Sequence, residues 1–176
     1  MHLRSGIVVL LAALAIPSVA GAGPQTPQEL QTRFEQEPDV VRQAKLLIEL
    51  SRTDFRVITE QVETGDNTDA LKTLAQLADD VERCSKALDA REKNPESHSS
   101  GFKQLQIAAR ESLRRLDYLT VNLTADEQAP FLAIRKRLDV SNRHLIRELF
   151  PHQSLPPDPE APDAGEPVQN QPEAKP

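Results

Sequence analysis

The chain has one cysteine, no tryptophan and six glycines among its 176 residues. A single cysteine excludes an intramolecular disulfide. It also excludes a lipoprotein anchor, because Cys84 is far from any cleavage point. Only Gly65 and Gly101 fall between Asp39 and Phe150, too few for a glycine-rich phosphate loop. HExxH, CxxC, GxSxG, Walker and GxGxxG patterns are missing from the chain after its leader. No catalytic centre, metal or cofactor is therefore expected, and a hydrolase of unknown type is only a third alternative.

Prolines are scarce in the same stretch, where only Pro95 and Pro130 occur. Helix breakers this sparse predict long helices. Apolar and small residues recur at spacings of three and four, which is the helical period rather than the alternation of a strand. One stripe runs Val41, Ala44, Ile48, Ser51, Phe55, Ile58, Val62, and the next Leu71, Leu74, Ala78, Val81, Ser85, Leu88. Two more follow, through Phe102, Leu105, Ala109, Ser112, Leu116, Leu119, Leu123 and through Phe131, Ile134, Leu138, Ser141, Leu145, Leu149.

The boundaries have local causes. Thr26 before Pro27, with Glu29 three positions on, predicts a capped short helix ending before Pro38. Gly65-Asp66-Asn67 predicts a tight turn whose positive φ falls to Gly or Asn. Thr124 and Glu127 form a second capping box, with Pro130 tolerated near the helix start. Residues 91–100 read as a polar linker between hairpins 39–90 and 101–150. The expected fold is all-α: an antiparallel up-down four-helix bundle of two hairpins over 39–150, with a short extra helix in the lead-in 23–38.

Each end has its own signature. Arg4, the apolar run Ile7–Ile16, Pro17 and Ala20-Gly21-Ala22 read as a signal peptide over 1–22, cut after Ala22 or Ala20. As a helix that run spans about 15 Å, half of a roughly 30 Å hydrocarbon core, which is too short for a permanent anchor. More than half of the 14 prolines follow Phe150. Residues 151–176 are expected to be a disordered, acidic, Pro-rich tail, either a spacer or a peptide ligand. The expected location is the periplasm or outside the cell.

Candidate sites are few. Bases outnumber acids over 101–150, whereas acids dominate before Gly101. Arg110, Arg114, Arg115, Arg135, Lys136, Arg137, Arg143 and Arg147 could form a face for an anionic envelope component such as phospholipid or cell-wall polymer, or serve as ordinary solvated helix charges. Nucleic acid is disfavoured by the net charge of −6 and the export signal. His144 and Glu148, four apart, are too few for a metal and read as an ion pair. Asp79-Asp80 and Asp126-Glu127 point to different sides of a helix and read as helix-surface and helix-start charges. Cys84 reads as a buried, inert thiol, with an intermolecular disulfide dimer as the alternative, so the protein is a monomer or a dimer. Ser51, Ser112 and Ser141 fall midway along their stripes and read as a layer for close helix approach, or as a hydrated or ligand-lined waist.

Two segments resemble known families. Gly65 to Leu71 resembles the turn and second-helix start of a tetratricopeptide repeat, although Asp54, Ile58 and Gln61 stand where that repeat has an aromatic, a small residue and an aromatic. No second copy follows at a period of about 34 residues, so a solenoid is not expected. Leu123-Thr124-Ala125-Asp126-Glu127-Gln128 is similar to the LTxxQ motif of small periplasmic helical stress-response chaperones, with the Gln one residue late. The expectation is an exported, non-enzymatic helical binding or scaffold protein of a bacterial envelope. The alternative implied by the second resemblance is a periplasmic chaperone or stress sensor.

Overall fold

The structure is a computed structural model that describes residues 26–91, 94–95 and 98–153. The signal segment with Ala22, and the tail from residue 154 onward, lie outside the described residues. Every regular element among the described residues is a helix: α1 Pro27–Gln36, α2 Val40–Glu63, α3 Asn67–Arg91, α4 Ser100–Thr120 and α5 Ala125–Leu149. Arg91 and Ser100 are thus helical rather than part of the linker.

Local chemistry sets the starts. Thr26 Oγ accepts from the Glu29 amide at 3.2 Å, and Glu29 Oε2 accepts from the Thr26 amide at 2.9 Å, closing the box ahead of Pro27. Asp39 Oδ1 accepts from the amides of Val41 (2.9 Å) and Arg42 (3.0 Å), satisfying two orphan donors of α2. Thr124 and Glu127 make the second box. Gly65 takes φ +82° in the α2–α3 turn. Asn67 is instead the first residue of α3, whose first turn is capped by Asp66 Oδ1 accepting from the Asp69 amide.

Helix directions follow from paired contacts. Arg91, at the end of α3, donates to Asp39, which caps the start of α2, so these two helices run in opposite directions. On α4 and α5, Gln106 pairs with Asn142 and Arg135 with Asp117, again in opposite order. Across the hairpins the order is the same in both helices: Gly101 meets Val41 while Arg52 meets Glu111, so α2 and α4 run together. Arg137 meets Asp79 and His144 meets Asp89, which gives α3 and α5 one direction too.

The helices pack in a closed cycle. α2 contacts α3 and α4, α5 contacts α3 and α4, α1 lies on α2, α3 meets α4 slightly, and α2 does not reach α5. Three neighbours around α2 explain why it buries far more than one stripe: Leu46, Leu47, Leu50, Thr53 and Asp54 are covered as well. Phe34, Phe55, Phe102 and Phe131, each from a different helix, are at most 2% exposed and anchor one continuous core. Gly101 marks the tightest approach, because a Cβ there would lie 2.5 Å from Leu88 Cδ2 and 3.3 Å from Val41 Cγ2.

Candidate functional site

The basic residues of 101–150 do not form one face. Arg135 bonds Asp117 on α4, whereas Arg137, two positions on and so about 200° around the helix, bonds Asp79 and Glu82 on α3. Arg143 closes on Asp139 in its own helix at 2.8 Å. All three guanidiniums are engaged in pairing helices or turns. Lys136 lines a cleft between α3 and α5 with Val140, Ser141 and His144. Arg110 and Arg147 are exposed.

Arg114 and Arg115 have a different setting. They line a groove of about 790 Å³ between α2 and α4 together with Arg52, a residue from the acidic half of the chain. Phe55, Val62, Leu119 and Leu123 supply its apolar lining. Arg52 grips Glu111 through Nε and Nη2, both at 3.0 Å, a planar fork that holds the guanidinium in place. The Arg52 hydrogen bonds hold the Glu111 carboxyl below the usual range, and the fields of Arg115 and Arg114 add to this. The groove therefore presents Arg114 and Arg115 beside apolar carbon, with the paired Arg52 and Glu111 and the Glu63 carboxylate also on its wall. Tyr118, on the groove wall, is 83% exposed, and Val121, outside the groove lining just past the end of α4, is 72% exposed.

The acidic pairs require a correction. Asp79 is on the surface with Arg137, but Asp80 is fully buried. The cause is α1, which covers this part of α3. Asp80 Oδ2 accepts from Gln31 Nε2 of α1 at 3.1 Å, and Oδ1 accepts from Gln76 Nε2 at 3.2 Å and from Arg83. The Arg83 guanidinium lies 5.4 Å from the centre of the Phe34 ring, a cation–π contact that ties α1 to α3. Burial raises the Asp80 carboxyl while Gln31, Arg83 and Gln76 pull it back.

Asp54 on α2 is the second buried carboxyl, 8% exposed. It has no hydrogen bond or salt bridge among the described residues. Burial, and then the charge of Asp80, push its pKa up to about 7. It lines a cleft of about 410 Å³ between α1, α2 and α3 that also holds Gln31, Val57, Gln61, Thr73 and Gln76. Gln61 Oε1 is sealed from solvent and has no hydrogen-bond partner.

The remaining candidates are structural. His144 Nε2 contacts Asp89 at 2.9 and 3.1 Å, and Nδ1 is 4.0 Å from Glu148, so the ring bridges α3 and α5. Among the described residues no group of three or more His, Cys, Asp or Glu is placed to hold a metal. Cys84 is 1% exposed, its Sγ donates to the Val40 carbonyl at 3.8 Å, and burial pushes the thiol up to about 12. Ser51 donates to the Ile48 carbonyl at 3.0 Å, Ser112 Oγ is buried without a partner, and Ser141 lies in the α3/α5 cleft. Gln128, the glutamine of the LTxxQ-like segment, donates to the carbonyls of Thr120 (3.0 Å) and Leu123 (2.8 Å), stitching the turn between α4 and α5.

No described helix is long and apolar enough to cross a membrane. No family model, no curated protein and no solved structure matches the chain.

Proposed function

We propose that the chain is a non-enzymatic helical binding module, exported to the bacterial envelope, that holds an anionic amphipathic partner in the groove between α2 and α4. In this reading α2 to α5 form a four-helix bundle of two antiparallel hairpins laid side by side, with parallel neighbours α2/α4 and α3/α5 across the hairpins and α1 as an extra short helix. The observation that supports it is the composition of the groove: Arg114 and Arg115, with Arg52 held by Glu111 and one further carboxylate at Glu63, stand beside Phe55, Val62, Leu119 and Leu123. An anionic head finds guanidinium donors there, and an adjoining acyl or apolar segment finds a site to leave water. Export rests on the 1–22 leader.

Vesicles of phosphatidylglycerol and of phosphatidylcholine test the reading. Binding to the anionic vesicles should weaken as salt rises from about 50 to about 300 mM, because exposed charges are screened over ~10 Å at 0.1 M. It should be lost in the double variant Arg114→Glu/Arg115→Glu. Equal binding to both lipids, or a double variant that binds unchanged, contradicts the proposal. A chaperone reading is favoured by the exposed Tyr118 at the groove and the exposed Val121 just past the end of α4. In that case the protein suppresses aggregation of a denatured client at substoichiometric amounts, and no effect at tenfold excess removes the reading.

A further inference from the structure

We infer that the cleft between α3 and α5 is a docking surface for this chain's own proline-rich segment 154–162, which runs along it antiparallel to α5 with Asp158 at Lys86 and Glu160 at Lys136. The surface is separate from the α2/α4 groove and does not depend on what binds there.

The cleft selects an extended, partly apolar, acidic occupant. Ser85 of α3 and Ser141 of α5 are buried and small, and the space between the two helices is about 580 Å³. Ala133 and Val140 give the α5 wall an apolar edge, and Val140 is 56% exposed, so the described residues leave much of it in water. The two carboxylates on the walls are already matched. Glu82 Oε1 accepts from Arg137 Nε at 2.9 Å, and Asp89 holds His144 Nε2 at 2.9 Å. Lys86, in contrast, has no carboxylate partner among the described residues, and Lys136 stands across from it on α5.

The segment that follows α5 has the matching chemistry. Leu155, Pro156, Pro157, Pro159 and Pro162 are interspersed with Asp158 and Glu160, and residues 154–176 hold five acids against one lysine. Proline fixes φ, so a stretch of this composition favours polyproline geometry and loses little entropy when it is seated in a groove. Of the two roles expected for the tail, spacer and peptide ligand, this assigns the second.

The exit from α5 sets the direction. The Gln153 amide donates to the Phe150 carbonyl at 3.0 Å, so Phe150-Pro151-His152-Gln153 is a β-turn that sends the chain back at the end of the helix. At about 1.5 Å per residue, His144 and Ala133 lie about 8 and 24 Å back from Leu149. At about 3.1 Å per residue, residues 154–162 span about 25 Å, enough to reach the far end of the cleft. The charges then fall in register. His144 opposite Asp89 and Arg137 opposite Glu82 place Lys86 level with Ser141, so Lys86 and Lys136 stand about 12 and 20 Å back from Leu149. With Ser154 level with Leu149, Asp158 and Glu160 come about 12 and 19 Å along the segment.

Each contact is weak by itself, because exposed ion pairs add little. The tether compensates. A short linker gives an effective concentration of about a millimolar, so a contact with a Kd near that value is made about half the time.

Paramagnetic relaxation in the purified chain tests the docking, with a nitroxide at Ala164→Cys in a Cys84→Ala background. Amide signals of 82–89 and 133–144 should broaden, most strongly near Glu82 and Ala133 and less toward Asp89 and His144. In Lys86→Glu/Lys136→Glu the enhancement should fall by about threefold or more, since two attractions become repulsions in a contact made half the time. Adding Asp158→Lys/Glu160→Lys should restore it. Circular dichroism confirms that each variant is folded. A mixture of nitrogen-15 chain without nitroxide and unenriched chain with nitroxide should show no broadening. The inference is overturned if the broadening is absent or even over all five helices, or if it centres on 52–63 and 111–123 of the α2/α4 groove. It is equally overturned if charge reversal leaves the broadening unchanged, if the compensating pair fails to restore it, or if the mixture reproduces it, since the segment then sits on a second copy.

Discussion

Removing the charge of Asp54 should stabilise the protein, and the gain should grow with pH. In the folded chain the carboxyl titrates at about 7, against 3.8 for the same group in water. At about 1.4 kcal/mol per pKa unit, and with water entering the cleft to relieve part of the cost, ionising this group in the folded state costs roughly 2–4 kcal/mol. Below pH about 4 both states hold the proton and Asp54 contributes nothing. Between about 4 and 7 the unfolded chain releases a proton that the folded chain keeps, so stability falls as pH rises, and above 7 the full cost is present. Asp54→Asn keeps the size and removes the titration. Urea unfolding followed by far-ultraviolet circular dichroism, on parent and variant across this range, isolates the effect, since Asp80 is common to both. The variant should match the parent near pH 4 and exceed it by roughly 2–4 kcal/mol at pH 8. A difference that does not change with pH, or a variant that is less stable at pH 8, refutes the reasoning.

Other consequences are simpler to check. Phe102→Ala should lose roughly 3–5 kcal/mol by the same unfolding assay, because its ring is fully buried; a loss below about 0.5 would place it at the surface. Gly65→Ala should cost about 1–2 kcal/mol, the penalty of a side chain at φ +82°, with no steric contribution because nothing lies within 4 Å of a Cβ there. Cys84 should be inert to a thiol-specific disulfide reagent at pH 8 in the folded protein and react fully in urea; rapid labelling of the native chain would contradict its burial.

The helices themselves were legible because their causes are local. Sparse glycine and proline, three-four spacing, the Thr26/Glu29 and Thr124/Glu127 boxes and Gly65 all act within a few residues. What depended on neighbours was less visible. The spacing from Val41 to Val62 marks one stripe along α2, yet Leu47, Leu50 and Asp54 continue a second one at spacings of three and four, and only contact with α1, α3 and α4 covers both. From sequence, Asp80 reads as a surface charge beside Asp79. Adjacent residues diverge by about 100° on a helix, and Asp80, three after Leu77 and four before Cys84, holds the register of a buried edge that α1 closes. The basic residues of α4 and α5 looked like one face because charge counts ignore partners. Asp117, Asp79 and Glu82 take up Arg135 and Arg137, while Arg52 joins Arg114 and Arg115 from a distant helix.

The proposed groove is tested most directly by an amide proton–nitrogen NMR titration of the protein with dodecyl phosphate, an anionic amphiphile. Saturable shift changes should gather on residues 52–63 of α2 and 111–123 of α4, and vanish in Arg114→Glu/Arg115→Glu. Changes centred on Lys136 and Arg147 of α5, or spread evenly over all five helices, would contradict the assignment of the partner to the α2/α4 groove.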